Sequence, residues 1–291
     1  MSLQNLLRRT NRKVRVLVGL MLVGLVFVAC TRTEGDAEST GLISAVDGKV
    51  IGHNAPAVLD KVEHLARTDH AALLSFCLDN YAARFKDYTC TFIKQERIGG
   101  SLGEEQWTNV KFMQSPYSVA MAWTKNAPMA DRVLYIEGKY NGKMLARPSS
   151  SLLRALVPGG TVARDPDGPS VMKNTLRPVN MFGFERATEN LLDVYRQSAR
   201  AGELEQSFGG YKNVAGRDTI VLVRVLPPRK DYPARKTLTY VDLEYLVPVC
   251  VEGYDWDGNL ACRYTFKDVK FNVGLGNEDF LPKANELNEP S

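Results

Sequence analysis

Hydrophobic positions change period along the chain, and each change marks an element. From Pro56 to about Phe85 apolar residues recur at three-to-four spacing, Val58, Val62 and Leu65, then Leu73, Leu74, Cys77 and Tyr81, which predicts helix. At Asp87 the period drops to two. Strands are predicted over 88–98 and 104–114, joined by Gly99-Gly100-Ser101-Leu102-Gly103. Past the Ser115-Pro116 break, Tyr117, Val119, Met121 and Trp123 alternate with Ser118, Ala120, Ala122 and Thr124, so large side chains line one face and small ones the other. A hairpin over 133–137 and 143–147 turns at Tyr140-Asn141-Gly142, where Asn-Gly is a strong turn signal.

Residues 148–182, rich in Pro and Gly, show no clear period, and a stretch of that length marks a functional loop, a lid or an insertion. Helix resumes over 184–200, with Ala187, Leu191, Val194 and Tyr195 on one side. Further strands are expected at 205–214, 217–226 and 236–244, and at 247–255 paired with 259–271 across the Asp257-Gly258 turn. The tail, 285–291, is polar and expected to fray. The pattern as a whole is α+β, an antiparallel sheet of eight or nine strands with two helical segments. A sheet of that size must curl or close to protect its edges. Helices over its apolar face would either complete a core or leave a cavity.

The first 29 residues have a different character. Residues 16–29, VLVGLMLVGLVFVA, are an unbroken apolar run directly after Arg8, Arg9, Arg12, Lys13 and Arg15, too short to span a bilayer comfortably and suited to a signal-peptide core. The run ends in Phe27-Val28-Ala29-Cys30, which resembles the bacterial lipobox and would make Cys30 the lipidated first residue of the mature protein. Residues 31–54 are small, polar and Gly-rich, so 30–54 reads as a lipidated Cys with a flexible tether. Thr31 rather than Asp after the lipidated Cys favours the outer membrane in the best-known sorting rule. The expected location is therefore the bacterial envelope, lipid-anchored and facing the periplasm.

Charge follows the same division. The formal net charge of +4 comes from 37 basic and 33 acidic residues, but the five basic residues before position 16 leave 32 against 33, or −1, for the rest. A nucleic-acid-binding body loses its main support. Exported chains meet an oxidising compartment, and Cys77, Cys90, Cys250 and Cys262 remain once Cys30 is lipidated. Proximity favours Cys77–Cys90 with Cys250–Cys262. If Trp256-Asp257-Gly258 is a three-residue loop, Cys250 and Cys262 become diagonal neighbours on one face. A two-residue Asp257-Gly258 turn puts them on opposite faces, where no bridge forms. Four unpaired buried thiols are the alternative.

Two stretches resemble a known family. Tyr88-Thr89-Cys90-Thr91-Phe92-Ile93-Lys94-Gln95-Glu96-Arg97, then Val110-Lys111-Phe112, Val133-Leu134-Tyr135-Ile136-Glu137-Gly138-Lys139-Tyr140 and Gly142-Lys143-Met144-Leu145, resemble domain-of-unknown-function family 1571. Leu246-Val247-Pro248, Tyr254-Asp255-Trp256-Asp257-Gly258, the segment Tyr264 to Asn272 and Asp279-Phe280 are similar to the closing strands of the wider LolA-like superfamily of periplasmic lipoprotein carriers and receptors. The resemblance spans 56–282, and the domain is set at 55–284. It implies a strongly curved antiparallel half-barrel whose helices cover the concave face over an apolar cavity.

On that reading the cavity walls are Phe92, Tyr117, Val119, Met121 and Trp123, because an acyl-chain binder needs wide apolar contact, about 0.8 kcal/mol per buried methylene, and adaptable Met. Ordinary core packing has the same composition. Lys94, Glu96 and Arg97 read as a strand-borne cluster in which Glu and Arg alternate faces, the pattern of a cross-strand ion pair. No catalytic constellation is apparent. There is no G-x-S-x-G, no phosphate loop and no dinucleotide fingerprint after a strand. His64 and His70, six apart, do not share a helix face for a metal, no C-x-x-C pair occurs, and Asp165-Pro166-Asp167-Gly168 fits a turn better than a calcium loop. No cofactor is expected. The expected function is binding without chemistry, of a hydrophobic ligand or a lipidated protein. An envelope adaptor or stress sensor with a filled core, binding another protein by its sheet edge or loop, is the alternative.

Overall fold

Asp69 breaks the long N-terminal helical pattern in two. Its backbone is extended (φ −151°, ψ 93°) and its side chain accepts the Ala72 N–H at 2.9 Å, so α1 (Pro56–Thr68) ends and α2 (His70–Arg84) begins there. The computed structural model describes residues 54–289. The expected signal peptide, Cys30 and all but the last residue of the expected tether lie outside the described residues. Ten long strands follow the alternation of the sequence closely. They are β1 (Asp87–Ile98), β3 (Gln106–Met113), β4 (Ser118–Lys125), β5 (Ala130–Ile136) and β6 (Met144–Pro148), then β8 (Glu205–Val214), β9 (Arg217–Val225), β10 (Lys236–Asp242), β11 (Pro248–Tyr254) and β12 (Leu260–Phe271). Two strands too short to show a period, β2 (Ser101–Leu102) and β7 (Val162–Arg164), bring the sheet to 12 rather than eight or nine.

The strands join in the order β7-β6-β5-β4-β3-β1-β12-β11-β10-β9-β8, antiparallel throughout, with β2 on β1. The sheet is unclosed and curved, so β6 at one end and β9 near the other face one common interior. Register shifts interrupt six of the ladders, and each bulge adds bend and twist. One of them, beside the Gly209-Gly210 pair, also reflects close packing: a side chain at Gly209 would bring Cβ within 2.9 Å of Val221.

The concave face is covered unevenly. Over β9 and β10, helices α1, α2 and α5 (Phe184–Arg200) pack tightly, with Val62, Leu73, Leu74 and Leu192 against Ile220, Leu222 and Val241. At the middle of the sheet Phe184 opens α5 inside an aromatic cluster, 4.3 Å from Phe266, 5.0 Å from Tyr88 and 5.5 Å from Phe271 between ring centroids. Gly183 makes that approach available. Its φ of 100° is a glycine conformation, and a Cβ there would sit 2.8 Å from the Phe112 ring. Beyond the cluster, the third part of the concave face is roofed by the segment 148–182, which holds α3 (Ser151–Leu156), β7 and α4 (Pro169–Met172).

The outer face corrects two expectations. As far as it is described, to residue 289, the C-terminal segment is packed rather than frayed: Phe280 and Leu287 are buried on Met113, Ala120, Leu134 and Leu145, and Glu286 pairs with Arg132 at 2.8 Å and Arg147 at 2.7 Å. The small residues of β4 are small because this segment lies over them. The second correction concerns the cysteines: the four among the described residues, Cys77, Cys90, Cys250 and Cys262, are free. Cys77 belongs to the helical core and Cys90 to the aromatic one. The β11–β12 turn is the three-residue kind, closed by Asp255 N–H on the Asn259 carbonyl with Gly258 left-handed. A bulge then shifts the register between Gly253↔Cys262 and Tyr254↔Leu260. That single extra residue turns Cys250 outward beside Thr265 and Cys262 inward, so a bridge cannot form.

His70 is a packing residue. Its Nε2–H donates to the Ala66 carbonyl at 2.8 Å, which leaves Nδ1 to accept from the Tyr195 hydroxyl at 3.1 Å in a neutral ring. Burial lowers its pKa, partly opposed by the Ala66 carbonyl.

Two outcomes follow from this interior. Burial pushes the thiols of Cys77 and Cys250 up to about 12 and about 11, so neither should react with maleimide in the native state. After denaturation without reductant all four cysteines beyond Cys30 should alkylate, and a pair lost from that count would reveal a disulfide. Because the unfolded His70 binds a proton that the folded one refuses, its contribution is fully present above about pH 6.5 and is lost as pH falls. The melting temperature should therefore fall more between pH 7 and pH 5 in the parent than in His70→Gln, measured by circular dichroism; parallel curves would contradict the neutral buried ring.

Candidate functional site

Between the sheet and its roof lies a cavity of about 750 Å³, within the range of small-molecule sites, about 300–1,000 Å³. Its floor comes from both halves of the sheet. Phe92, Met121, Val133 and Met144 stand on one side, and Pro248, Val251, Tyr264 and Phe266 on the other. The roof is segment 148–182 with Leu153, Leu156, Val171 and Met181. Helix α5 separates this space from the packed half. Its residues Leu192 and Tyr195 are buried in the helical core, Phe184 is buried in the aromatic cluster at the cavity's edge, and the stripe Ala187, Leu191 and Val194 looks into the cavity. The last stripe, with Tyr195, is the face that the periodicity of the helix marks as apolar.

The five expected wall residues divide. Phe92, Met121 and Trp123 line the cavity, with the Trp123 indole N–H donating to Gln106 Oε1 at 3.1 Å. Tyr117 and Val119 are buried in the aromatic core and are not among the walls. Tyr117 has a different job: its hydroxyl donates to the carbonyls of Val179 and Phe182 at 3.1 and 2.8 Å, and so fixes the end of the roof to β4. Strict alternation places all four β4 residues inward but does not tell the floor of a cavity from the floor of a core.

At the mouth, apolar side chains meet solvent. Leu152 and Leu156 of α3 are 70% and 73% exposed, Met129 is 56% exposed, and Leu156 and Met129 also line the cavity. The helix itself is anchored by polar contacts below it, Arg154 with Asp131 at 3.1 Å and Arg147 with the same carboxylate at 2.8 Å.

The Lys94, Glu96 and Arg97 cluster is not a cross-strand Glu–Arg pair. Lys94 and Glu96 face inward together and pair at 3.3 Å, and Arg97 donates to the carbonyls of Leu260 and Gly100. Glu96 is buried and collects the roof. Its Oε1 accepts from Tyr264 Oη at 2.7 Å, from the Leu176 N–H at 3.2 Å and from Thr175 Oγ1 at 3.3 Å, while Lys94 Nζ donates to Thr175 Oγ1. This part of the roof, Thr175 and Leu176, is thus tied to β1 by one buried carboxylate. Asp165-Pro166-Asp167-Gly168 is a turn, its Asp165 carboxylate accepting the Asp167 N–H.

Sequence reasoning missed Arg224. It stands on β9 in register with Ile220 and Leu222, is 1% exposed, and lines the cavity. Its Nη2 donates to Thr237 Oγ1 at 3.0 Å and Nη1 to the Leu191 carbonyl at 3.4 Å, and its guanidinium lies 4.9 Å from the centre of the Tyr195 ring. Burial lowers its pKa from the usual arginine value. A charge at an inward position was the available signal, but Val221 and Val223 are apolar too, so the alternation of β9 does not reveal which face is inward. Among the described residues no group of His, Cys, Asp or Glu is placed to hold a metal ion, and no helix is long and apolar enough to cross a membrane.

These features define a class, an unclosed antiparallel half-barrel with helices across its concave face and an apolar cavity between them. The chain belongs to the family described as protein of unknown function DUF1571, whose model matches residues 85–288. No curated protein matches it. Among solved structures it is similar to the Pseudomonas aeruginosa MucA/MucB complex (13% identity, 75% of this chain and 62% of that one, TM-score 0.44). It is similar also to the Mycobacterium tuberculosis lipoprotein LppX (10%, 70% and 97%, 0.40) and to a LolA superfamily protein from Nitrosomonas europaea (10%, 72% and 98%, 0.31). The chain spans less than two thirds of the MucB chains it matches, 64% and 62%.

Removing the carboxylate in Glu96→Ala should loosen the roof. The Leu176 amide, protected by Glu96 in the parent, should exchange with deuterium much faster in the variant, and breaking a buried pair should cost about 3 kcal/mol of stability. Unchanged exchange over 173–178 would show that the tether is not what holds the roof.

Proposed function

We propose that this chain is a lipid-anchored protein of the bacterial envelope that holds a hydrophobic ligand, the acyl chain of a lipid or of a lipidated protein, in the cavity between β4–β6, β11–β12 and α5. It acts by binding, without chemistry. The observation that carries this reading is the cavity itself: 750 Å³ walled by Phe92, Met121, Met144, Leu191 and Phe266, with apolar residues continuing out to the exposed lip at Leu156 and Met129. Side chains of this kind form a surface on which burying each methylene of a ligand contributes about 0.8 kcal/mol, independent of direction. Four Met line the cavity, Met121, Met129, Met144 and Met181, and suit chains of variable length and bend. A packed adaptor fits less well, because a filled concavity serves protein docking at the surface and needs no continuous apolar passage.

The anchor in this proposal rests on the N-terminal pattern, the basic cluster, the apolar run 16–29 and Cys30 after Ala29. Thr31 favours the outer membrane, facing the periplasm. The tether 31–54 would let the domain reach away from the bilayer that holds Cys30.

Native mass spectrometry with lipid extraction on the full chain, purified from the envelope of an expressing cell in a non-ionic micelle, is the direct check. A copurifying lipid or acylated peptide is expected, lost from Met121→Glu while the fold, read by circular dichroism, is kept. A protein that carries no lipid and takes up no added fluorescent fatty acid would remove the proposal.

A further inference from the structure

The charges around the cavity are of one sign. Five basic residues line it, Lys94, Arg164, Lys173, Arg177 and Arg224, and no Asp or Glu does. Lys94 is neutralised by Glu96 behind it. Arg164, Lys173 and Arg177 lie at the exposed rim, where water screens them. Arg224 is different, since it is almost wholly buried and forms no ion pair with an Asp or Glu among the described residues. Its Nε has no hydrogen-bond partner there, and the partners of its other nitrogens, Thr237 and Leu191, are neutral.

An isolated buried guanidinium is costly, and unlike lysine it cannot shed its proton to reduce that cost. The Tyr195 ring face offsets part of it. In a sealed core, an aliphatic side chain of the same volume would be more stable. What Arg224 adds is a fixed, desolvated fork of donors in a largely apolar wall, with Arg177 a further lining cation close enough to act on it electrostatically. A carboxylate or phosphate oxygen is the group such a fork matches, through short charge-assisted hydrogen bonds strengthened by the low dielectric of the cavity.

We infer that the ligand is an anionic amphiphile, its acyl chain lying along the Phe92, Met121 and Met144 floor and its carboxylate or phosphate head held by Arg224. This rests on the binding role proposed above and narrows it: the head enters the cavity rather than staying at the mouth, and the tail runs towards β6. Neutral single-chain lipids of the same length would bind with the apolar contribution alone.

The test uses three photoreactive probes with identical diazirine tails, a fatty acid, a 1-acylglycerol phosphate and a fatty alcohol, each titrated onto the full chain in a non-ionic micelle and read by intact mass. At least one of the anions is expected to label at about tenfold lower concentration than the alcohol, and the better one identifies the head as carboxylate or phosphate. Arg224→Met should abolish that preference while leaving labelling by the alcohol unchanged, which also reports that the cavity still forms. Arg177→Gln, at the exposed rim, disturbs no packing and should reduce the preference less. Equal labelling by all three probes in the parent, or a preference that survives Arg224→Met, would overturn the anion site and leave the hydrophobic cavity standing. Absence of labelling by all three, the alcohol included, would overturn both. If Arg224→Met loses the alcohol as well, Arg224 is a structural residue and the inference fails.

Discussion

Phe184 meets Tyr88, Phe266 and Phe271 at the centre of the curved sheet, and where that contact falls decides what lies on each side of it. A concave sheet must have its apolar face covered along the full width, and three helices of 13 to 17 residues reach across only part of it. By pinning the first residue of α5 to the middle, the aromatic cluster commits all three helices to the β8–β10 side. What is left is covered by a roof with little regular structure, and a roof of short pieces over a wide floor leaves space beneath. Packed core and cavity are two consequences of one placement.

The roof needs its own attachment, and polar groups supply it. Tyr117, Glu96 and the Arg147–Asp131–Arg154 group each join the sheet to segment 148–182 or its flank. Beside the short β6–β7 ladder these are few bonds for a long segment, against the continuous packing that fixes α5. A roof held by discrete polar ties can open at one of them without unfolding the core behind α5. The proposed binding and release of a chain-like ligand would use that separation of stabilities.

Much of this was legible beforehand, because long amphipathic elements obey their periods. Both bounds of α5 and of β8 fall where the periods place them, and the resemblance to the family, read over 56–282, overlaps most of the region that its model matches, 85–288. What escaped was set by single residues or by distant contacts. One bulged residue near Ala261 reversed the facing of Cys262 and with it the expected disulfide. Asp69 capped a helix inside a pattern that reads as continuous. The tail is polar on average, yet the burial of Leu287 and the pairing of Glu286 with Arg132 and Arg147 give it a place on the outer face. Phe92, Met121 and Trp123 line the cavity where Tyr117 and Val119 do not, since the difference lies in what stands opposite them. Arg224, on a strand apolar on both faces, gave no local sign of being inside.

The central claim is that the space between α5 and the β4–β6 floor is a ligand site rather than a packing defect. A crystal structure of the chain with a fatty acid brominated near its terminal carbon tests it most directly, because bromine scatters anomalously and needs no interpretation of weak density. The predicted result is one anomalous peak within van der Waals distance of the Met121, Val133 and Met144 side chains. A peak at the surface instead, or none at saturating ligand, would contradict it.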